Sequence, residues 1–100
     1  MNFDEFKRSL ASPAAPPEGL DPPLKGLWLD GAGDWDGAHR TVQADESPQA
    51  AWVHAYLHRK EGDSWNAGYW YSRAGRTASQ LSLEAEWEEI AEALLAAHSA

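Results

Sequence analysis

Apolar side chains recur along this chain at helical spacing rather than in strict alternation. Phe3, Phe6 and Leu10 lie three and four residues apart, which predicts a short helix over residues 2–11. No segment alternates apolar and polar residues for long, and no Asn-Gly or Asp-Gly pair joins two β-rich runs. The pattern therefore predicts an all-α protein.

Capping residues, prolines and glycines mark where the other helices begin and end. The prolines at 22 and 23, Asp34, Ser47 and Asp63 are the expected start signals. They predict four helices, over residues 22–30, 35–44, 48–61 and 64–74. A last helix opens at Ser82. Its apolar stripe is formed by Leu83, Trp87, Ile90 and Leu94.

Length and proline content set the domain organisation. One hundred residues make one domain and leave no room for a second. Five of the six prolines lie between Ser12 and Pro23, so this stretch is predicted to be an extended connector that wraps a surface. We divide the single domain, residues 1–100, into an N-terminal helix (1–12), a proline-rich connector (13–23) and a helical-hairpin core (22–97).

Composition excludes several classes of function. Sixteen acidic against eight basic residues give a net charge of −8, which argues against nucleic acid or an anionic membrane as a partner. The chain has no cysteine, so disulfide scaffolds, thiolate zinc sites and cysteine nucleophiles are excluded. It also has no apolar run of signal-peptide or membrane-spanning length, which predicts a soluble, cytoplasmic protein.

Tryptophan is unusually frequent in this short chain. Large rings supply much apolar area per residue, so they can fill the core between small residues or line a pocket, and both readings stay open. The six tryptophans are Trp28, Trp35, Trp52, Trp65, Trp70 and Trp87.

Two stretches repeat one pattern at an offset of 29 residues: GDWDGA over 33–38 and GDSWNA over 62–67. In each, a glycine ends one helix, an aspartate caps the next, and an alanine four residues after the cap allows close approach of the two helices. This is the pattern of a helical hairpin, and hairpins stack because neither buries its apolar face alone.

These turns and the small residues around them resemble the tetratricopeptide family over about residues 22–97. The matching positions are Gly26, Ala38, Ala55, Ala67, Tyr71 and Ala74. Val42 and Asp45 depart from the family pattern in the first copy, and the offset is shorter than the family's usual 34. The resemblance implies stacked antiparallel helical hairpins with the last helix as a cap. The stretches GDWDGAH and VHAYLHRKEGD also resemble a group of small uncharacterised bacterial proteins, which implies no function.

One face of the predicted 48–61 helix combines aromatic and basic side chains. It is formed by Gln49, Trp52, Tyr56, Arg59 and Lys60. In tetratricopeptide proteins the corresponding positions line a groove that grips a partner. The resemblance therefore implies a protein or peptide partner, or a small anionic ligand, on this face. The alternative is a solvated helix face whose Arg and Lys stems cover the rings.

Three histidines form a second candidate site. His54 and His58 lie four residues apart, on the same face of one helix, and His39 on the preceding helix is a possible third ligand. Asp36 or Glu61 could add a carboxylate. Three interpretations remain open: core histidines bonded to neighbours such as Tyr71 or indole N–H groups, a small-molecule or catalytic pocket, or a site for a divalent metal.

Trp65, Tyr69 and Arg73 lie at i, i+4 and i+8 on the predicted 64–74 helix. We expect the apolar stripe of the last helix to bury them, because that is the simpler arrangement. If they are exposed, they are a candidate interface, since Trp, Tyr and Arg dominate binding hot spots.

The last helix also carries five acids with no base among them. A charge run on an amphipathic helix is usually its solvated face, so no chemistry is assigned to it. The five are Glu84, Glu86, Glu88, Glu89 and Glu92.

No catalytic signature occurs in the sequence: there is no GxSxG, phosphate loop or dinucleotide fingerprint. The first prediction is therefore a binding or interaction module without a cofactor, acting through the aromatic–basic face, with homo-oligomer formation left open. The alternative is a small-molecule- or metal-binding protein, with or without enzymatic activity, centred on His39, His54 and His58.

Overall fold

A computed structural model describes residues 1–11 and 15–99, and within them every regular element is helical. The elements are α1 (Phe3–Arg8), a 3₁₀ turn (Ser9–Ala11), α2 (Pro22–Gly31), α3 (Trp35–Gln43), α4 (Pro48–Lys60), α5 (Ser64–Ala74) and α6 (Leu83–Ser99). The all-α prediction is confirmed. Residue 12 of the predicted N-terminal helix and residues 13 and 14 of the connector lie outside the described residues. In the described part of the chain, no helix is both long and apolar enough to cross a membrane.

The helices begin at the capping residues that the sequence predicts. The side chains of Asp34, Ser47 and Asp63 each accept a hydrogen bond from the backbone N–H three residues later, at 2.9, 3.1 and 3.2 Å. Gly75 ends α5 in the left-handed conformation at φ 72°, which glycine adopts without strain. The first helix is shorter than predicted, because it ends at Arg8 and continues only as the 3₁₀ turn.

Helix α4 lies at the centre of the core. Every residue from 50 to 58 is buried, and α2, α3, α5 and α6 all pack against this helix. Helix α2 also packs on α3, where a Cβ on Gly26 would lie 2.5 Å from Cγ1 of Val42. Glycine is therefore required at this crossing.

Helix α6 packs on α2, α4 and α1, and its apolar stripe does not cover α5. The Trp87 indole donates to the carbonyl of Leu27 at 3.0 Å, and its ring centroid lies 5.8 Å from that of Phe6. The prediction that the last helix buries the Trp65–Tyr69–Arg73 face is wrong. Trp65 is 81% exposed and Tyr69 is 46% exposed, because the stripe already packs on the other side of the molecule.

Candidate functional site

The structure brings the three predicted histidines together between α3 and α4. His54 and His58 lie one turn apart on α4 and are buried, whereas His39 on α3 is half-buried. The ring centroid of His39 lies 4.7 Å from that of His54 and 5.2 Å from that of His58. Helices α3 and α4 pack directly, so the site is held by two neighbouring elements of the core. We call these three residues the histidine cluster.

The hydrogen bonds of the cluster are made within it and to one carboxylate. Nε2 of His54 lies 3.0 Å from Nε2 of His39, and Nδ1 of His58 lies 2.5 Å from Oε1 of Glu61. The buried Nδ1 of His54 has no partner among the described residues. Tyr71, an expected partner for the histidines, donates instead to Glu86.

Two indole rings form the walls of the histidine cluster. Trp70 stacks on His54 with centroids 3.9 Å apart, and Trp35 stacks on His39 at 5.0 Å. The indole of Trp35 is held in place because it donates to the carbonyl of Leu57 at 2.9 Å. These rings cover the faces of the imidazoles and reduce their contact with water.

Burial favours the neutral form of His39 and His54 by lowering the pKa of each ring. Burial, and then the neighbouring His39 and His58, lower the pKa of His54 to about 3. Burial and the neighbouring His58 also lower the pKa of His39. A neutral imidazole offers a lone pair to a metal ion, whereas a protonated one does not. At neutral pH the rings of His39 and His54 are therefore in the protonation state that binds a metal ion.

The carboxylates near the cluster have different roles. Glu61 bonds to His58, whereas Asp36 is exposed, and the charges of Glu61 and then Asp36 only partly offset the lowering of the His39 pKa. Ligand atoms of His58, Glu61 and Asp63 lie within 4.8 Å of one another. Asp63 accepts bonds from the backbone and side chain of Asn66, which lower the pKa of this carboxyl. Glu61 is therefore the carboxylate associated with the cluster.

The predicted aromatic–basic face is not an open groove. Trp52 is 5% exposed and Tyr56 is 3% exposed, because α6 packs on α4. Arg59 forms an ion pair with Glu86 at 2.8 Å, and Lys60 forms one with Asp30 at 3.0 Å. Of the five predicted residues, Gln49 and Lys60 are exposed, and the lysine is engaged. The two rings of this face are therefore buried between helices, and its two bases are paired with acids.

Two buried carboxylates were not predicted from the sequence. Asp30 is 3% exposed and Glu86 is 0% exposed, so assigning the whole glutamate run of α6 to the solvated face is wrong for Glu86. Both the guanidinium of Arg59 and the hydroxyl of Tyr71 donate to Glu86. One signal was present in the sequence: Glu86 lies three residues after Leu83 and four before Ile90, and so at the edge of the apolar stripe.

No protein-family model matches this chain, and comparisons with curated proteins and with solved structures also find no match.

Proposed function

We propose that this protein binds a divalent transition-metal ion through His39, His54 and His58. The observation that carries the proposal is that three ring nitrogens from two packed helices, one from each histidine, lie within 4.8 Å of one another. Two of the three rings are neutral at pH 7 because their pKa values are lowered.

The shortest distance in the cluster suits two ligands of one ion. Zinc–nitrogen bonds are about 2.0–2.1 Å long, so two nitrogens whose bonds meet at about 90–110° lie about 3.0–3.4 Å apart. The two Nε2 atoms of His39 and His54 are 3.0 Å apart. A shared ion would replace their mutual hydrogen bond without a large movement of either ring.

His58 is oriented as metal-binding histidines usually are. Its Nδ1 bonds to the carboxylate of Glu61, which leaves Nε2 as the nitrogen available to an ion. A carboxylate behind a ligating imidazole fixes the tautomer and raises the basicity of the ligand. Glu61 therefore supports binding without occupying a coordination position.

The donor set indicates the class of metal. Imidazole nitrogens suit Zn²⁺, Cu²⁺, Ni²⁺ and Co²⁺, whereas Mg²⁺ and Ca²⁺ prefer oxygen. Three protein nitrogens fill three positions of a tetrahedral site, and the fourth is left for water or an external ligand. This arrangement favours an ion that stays accessible over a closed structural site.

The unpartnered Nδ1 of His54 argues against a purely structural role for the cluster. Buried polar atoms are nearly always paired, and an unpaired one costs about 1–3 kcal/mol. In the ion pairs of Arg59 and Lys60, by contrast, each buried carboxylate is matched to a base. A cluster that served only stability would be expected to be matched as well.

Metal binding is tested by equilibrium dialysis of the purified chain against Zn²⁺, Ni²⁺ and Mn²⁺, with thermal unfolding in parallel. We expect about one zinc or nickel ion per chain, weaker manganese binding, and a stability gain of about 2.7 kcal/mol at one hundred times the dissociation constant. Co²⁺ should give the visible absorption of a nitrogen-ligated site.

Variants assign the site. His39→Ala and His54→Ala should both lose the bound ion. Arg40→Ala is the matched control, because Arg40 follows His39 on α3 and is exposed. A chain that binds no ion, or that keeps the ion in both histidine variants, would refute the proposal.

We also infer that the core is a minimal tetratricopeptide-like stack with α6 as its cap. The packing of α2 on α3, of α4 on α5 and of α3 on α4 supports this arrangement. The close approach at Gly26 supports it too, because the resemblance places a small residue there.

A further inference from the structure

The outer face of α5 is exposed although it carries two aromatic rings. Trp65 is 81% exposed and Tyr69 is 46% exposed. Single exposed apolar residues are common, but an exposed helix face of Trp, Tyr and Arg has the composition of a binding hot spot. The exposed residues of this α5 face are Trp65, Gly68, Tyr69, Ser72 and Arg73.

We propose that a second copy of this chain docks on the α5 face, with the two α5 helices antiparallel across a two-fold axis near Tyr69. Trp65 and Arg73 lie four residues to either side of Tyr69, a rise of about 6 Å each way. A two-fold axis there sets Trp65 opposite the partner's Arg73. The face is thus complementary to itself, with two cation–π contacts between indole and guanidinium.

The charge distribution favours a second copy on this face. The chain carries a net charge of −8, so most approaches between two copies bring like charges together. Helix α5 (Ser64–Ala74) contains Arg73 and no acidic residue. This face therefore lets two acidic molecules meet without placing carboxylates opposite each other.

Gly68 is an independent indication of close approach by a second molecule. A glycine inside a helix is destabilising relative to alanine. A Cβ at Gly68 would meet nothing within 4 Å, so nothing in the described part of the chain requires glycine there, in contrast to Gly26 against Val42. Beside the two-fold axis, glycine would let the two helix backbones approach closely.

The Arg73 side chain is already ordered on this face by contacts with its own chain. Its guanidinium donates to the hydroxyl of Tyr69 at 3.0 Å, and it lies 5.4 Å from the ring centroid of Trp70. Less side-chain freedom is then lost on docking.

The area of this interface is small. One face of an 11-residue helix buries less surface than the roughly 800 Å² that each partner buries in a standard interface. We therefore expect a weak dimer, with a dissociation constant of about 10–100 μM.

Analytical ultracentrifugation tests this proposal at protein concentrations from about 10 μM to about 1 mM. EDTA is present, so that an ion bridging two molecules cannot mimic the contact and a failure of the proposed metal site does not affect the result. We expect a reversible monomer–dimer equilibrium. Trp65→Ala and Arg73→Glu should each weaken it about tenfold or more. Leu81→Ala is the control, because Leu81 is 46% exposed but lies outside the α5 face.

Gly68→Ala should raise the stability of the chain and weaken the dimer. A purely structural role for Gly68 would not predict this combination. The melting temperature should rise, because alanine favours the helix, whereas the dimer should weaken because the added methyl group separates the two backbones. A strict monomer over the whole range, an unchanged dimer in both Trp65→Ala and Arg73→Glu, or assembly beyond the dimer would overturn the proposal. Dissociation by added salt would also overturn it, since screening should relieve the repulsion between two acidic copies.

Discussion

Polar side chains of helix α4 lie in two buried regions of this molecule. The two regions differ in how fully the buried polar groups are paired. Towards α2 and α6, Lys60 pairs with Asp30, and Arg59 pairs with Glu86. The hydroxyl of Tyr71 donates to the same Glu86. We call this region the carboxylate layer; each of its buried charges has an opposite charge at 3.0 Å or less.

Towards α3 and α5, the histidine cluster has no such match. Its three rings contact one another and two indoles, and only His58 reaches a carboxylate. His54 keeps one buried nitrogen unpaired among the described residues. A layer of matched charges stabilises the fold, whereas a cluster that keeps a buried nitrogen unpaired contributes less to stability.

The largest expected effect tests the carboxylate layer. Glu86→Ala should lower the free energy of unfolding by about 3 kcal/mol, because it leaves Arg59 and Tyr71 without their buried acceptor. Urea denaturation measures the change. Glu89→Ala is the control on the same helix, where an exposed acid should contribute less than about 0.5 kcal/mol. Equal losses in the two variants would mean that burial of Glu86 has no structural consequence.

A pH titration tests the histidine cluster, with an effect of intermediate size. His54 has a pKa of about 3 in the folded chain and near its ordinary value of 6.5 when unfolded. The unfolded state therefore binds more protons between these values, and stability should fall as pH falls through that window. The expected loss is about 2 kcal/mol from pH 7 to pH 5. His54→Leu should have a shallower slope of unfolding free energy against pH, and an unchanged slope would contradict the assignment.

The smallest expected effect separates the two regions most directly. At pH 7 and without metal, His54→Leu should leave stability unchanged or raise it by up to about 1 kcal/mol, because it removes an unpaired buried nitrogen. Glu86→Leu should lower stability even though leucine is apolar, because it removes the buried carboxylate that pairs with Arg59. Thermal melting of both variants checks the contrast. A large loss in His54→Leu would make the cluster a stabilising element like the carboxylate layer.

The sequence predicted local features of this fold more accurately than tertiary ones. Asp34, Ser47 and Asp63 cap the helices they were expected to cap, since capping depends on residues three positions away. The histidines converge because a four-residue spacing and neighbouring helices suffice to bring them together. In contrast, the side on which α6 packs could not be read from its stripe, because an apolar stripe fits any apolar face.

Buried charge was the other feature that sequence reasoning missed. Acids are rarely buried, so Glu86 was expected at the surface and Asp30 was not singled out, yet both are buried. Asp30 pairs with Lys60, 30 positions away in the sequence, and Glu86 pairs with Arg59, 27 positions away. No local sequence pattern predicts contacts over such separations. The same pairs explain why Trp52 and Tyr56 are buried rather than open to a partner: α6 brings Glu86 to Arg59 and closes over both rings.

Contacts between α1 and α6 also have a consequence for the order of folding during synthesis. Phe3 and Phe6 pack on Trp87, and Lys7 bonds to Glu88 across 81 residues. A nascent chain can pair α2 with α3 and α4 with α5 as each emerges from the ribosome. The aromatic surface of its first helix, however, stays without its partner until α6 has been made. Chaperone engagement of the growing chain should therefore end with the synthesis of α6.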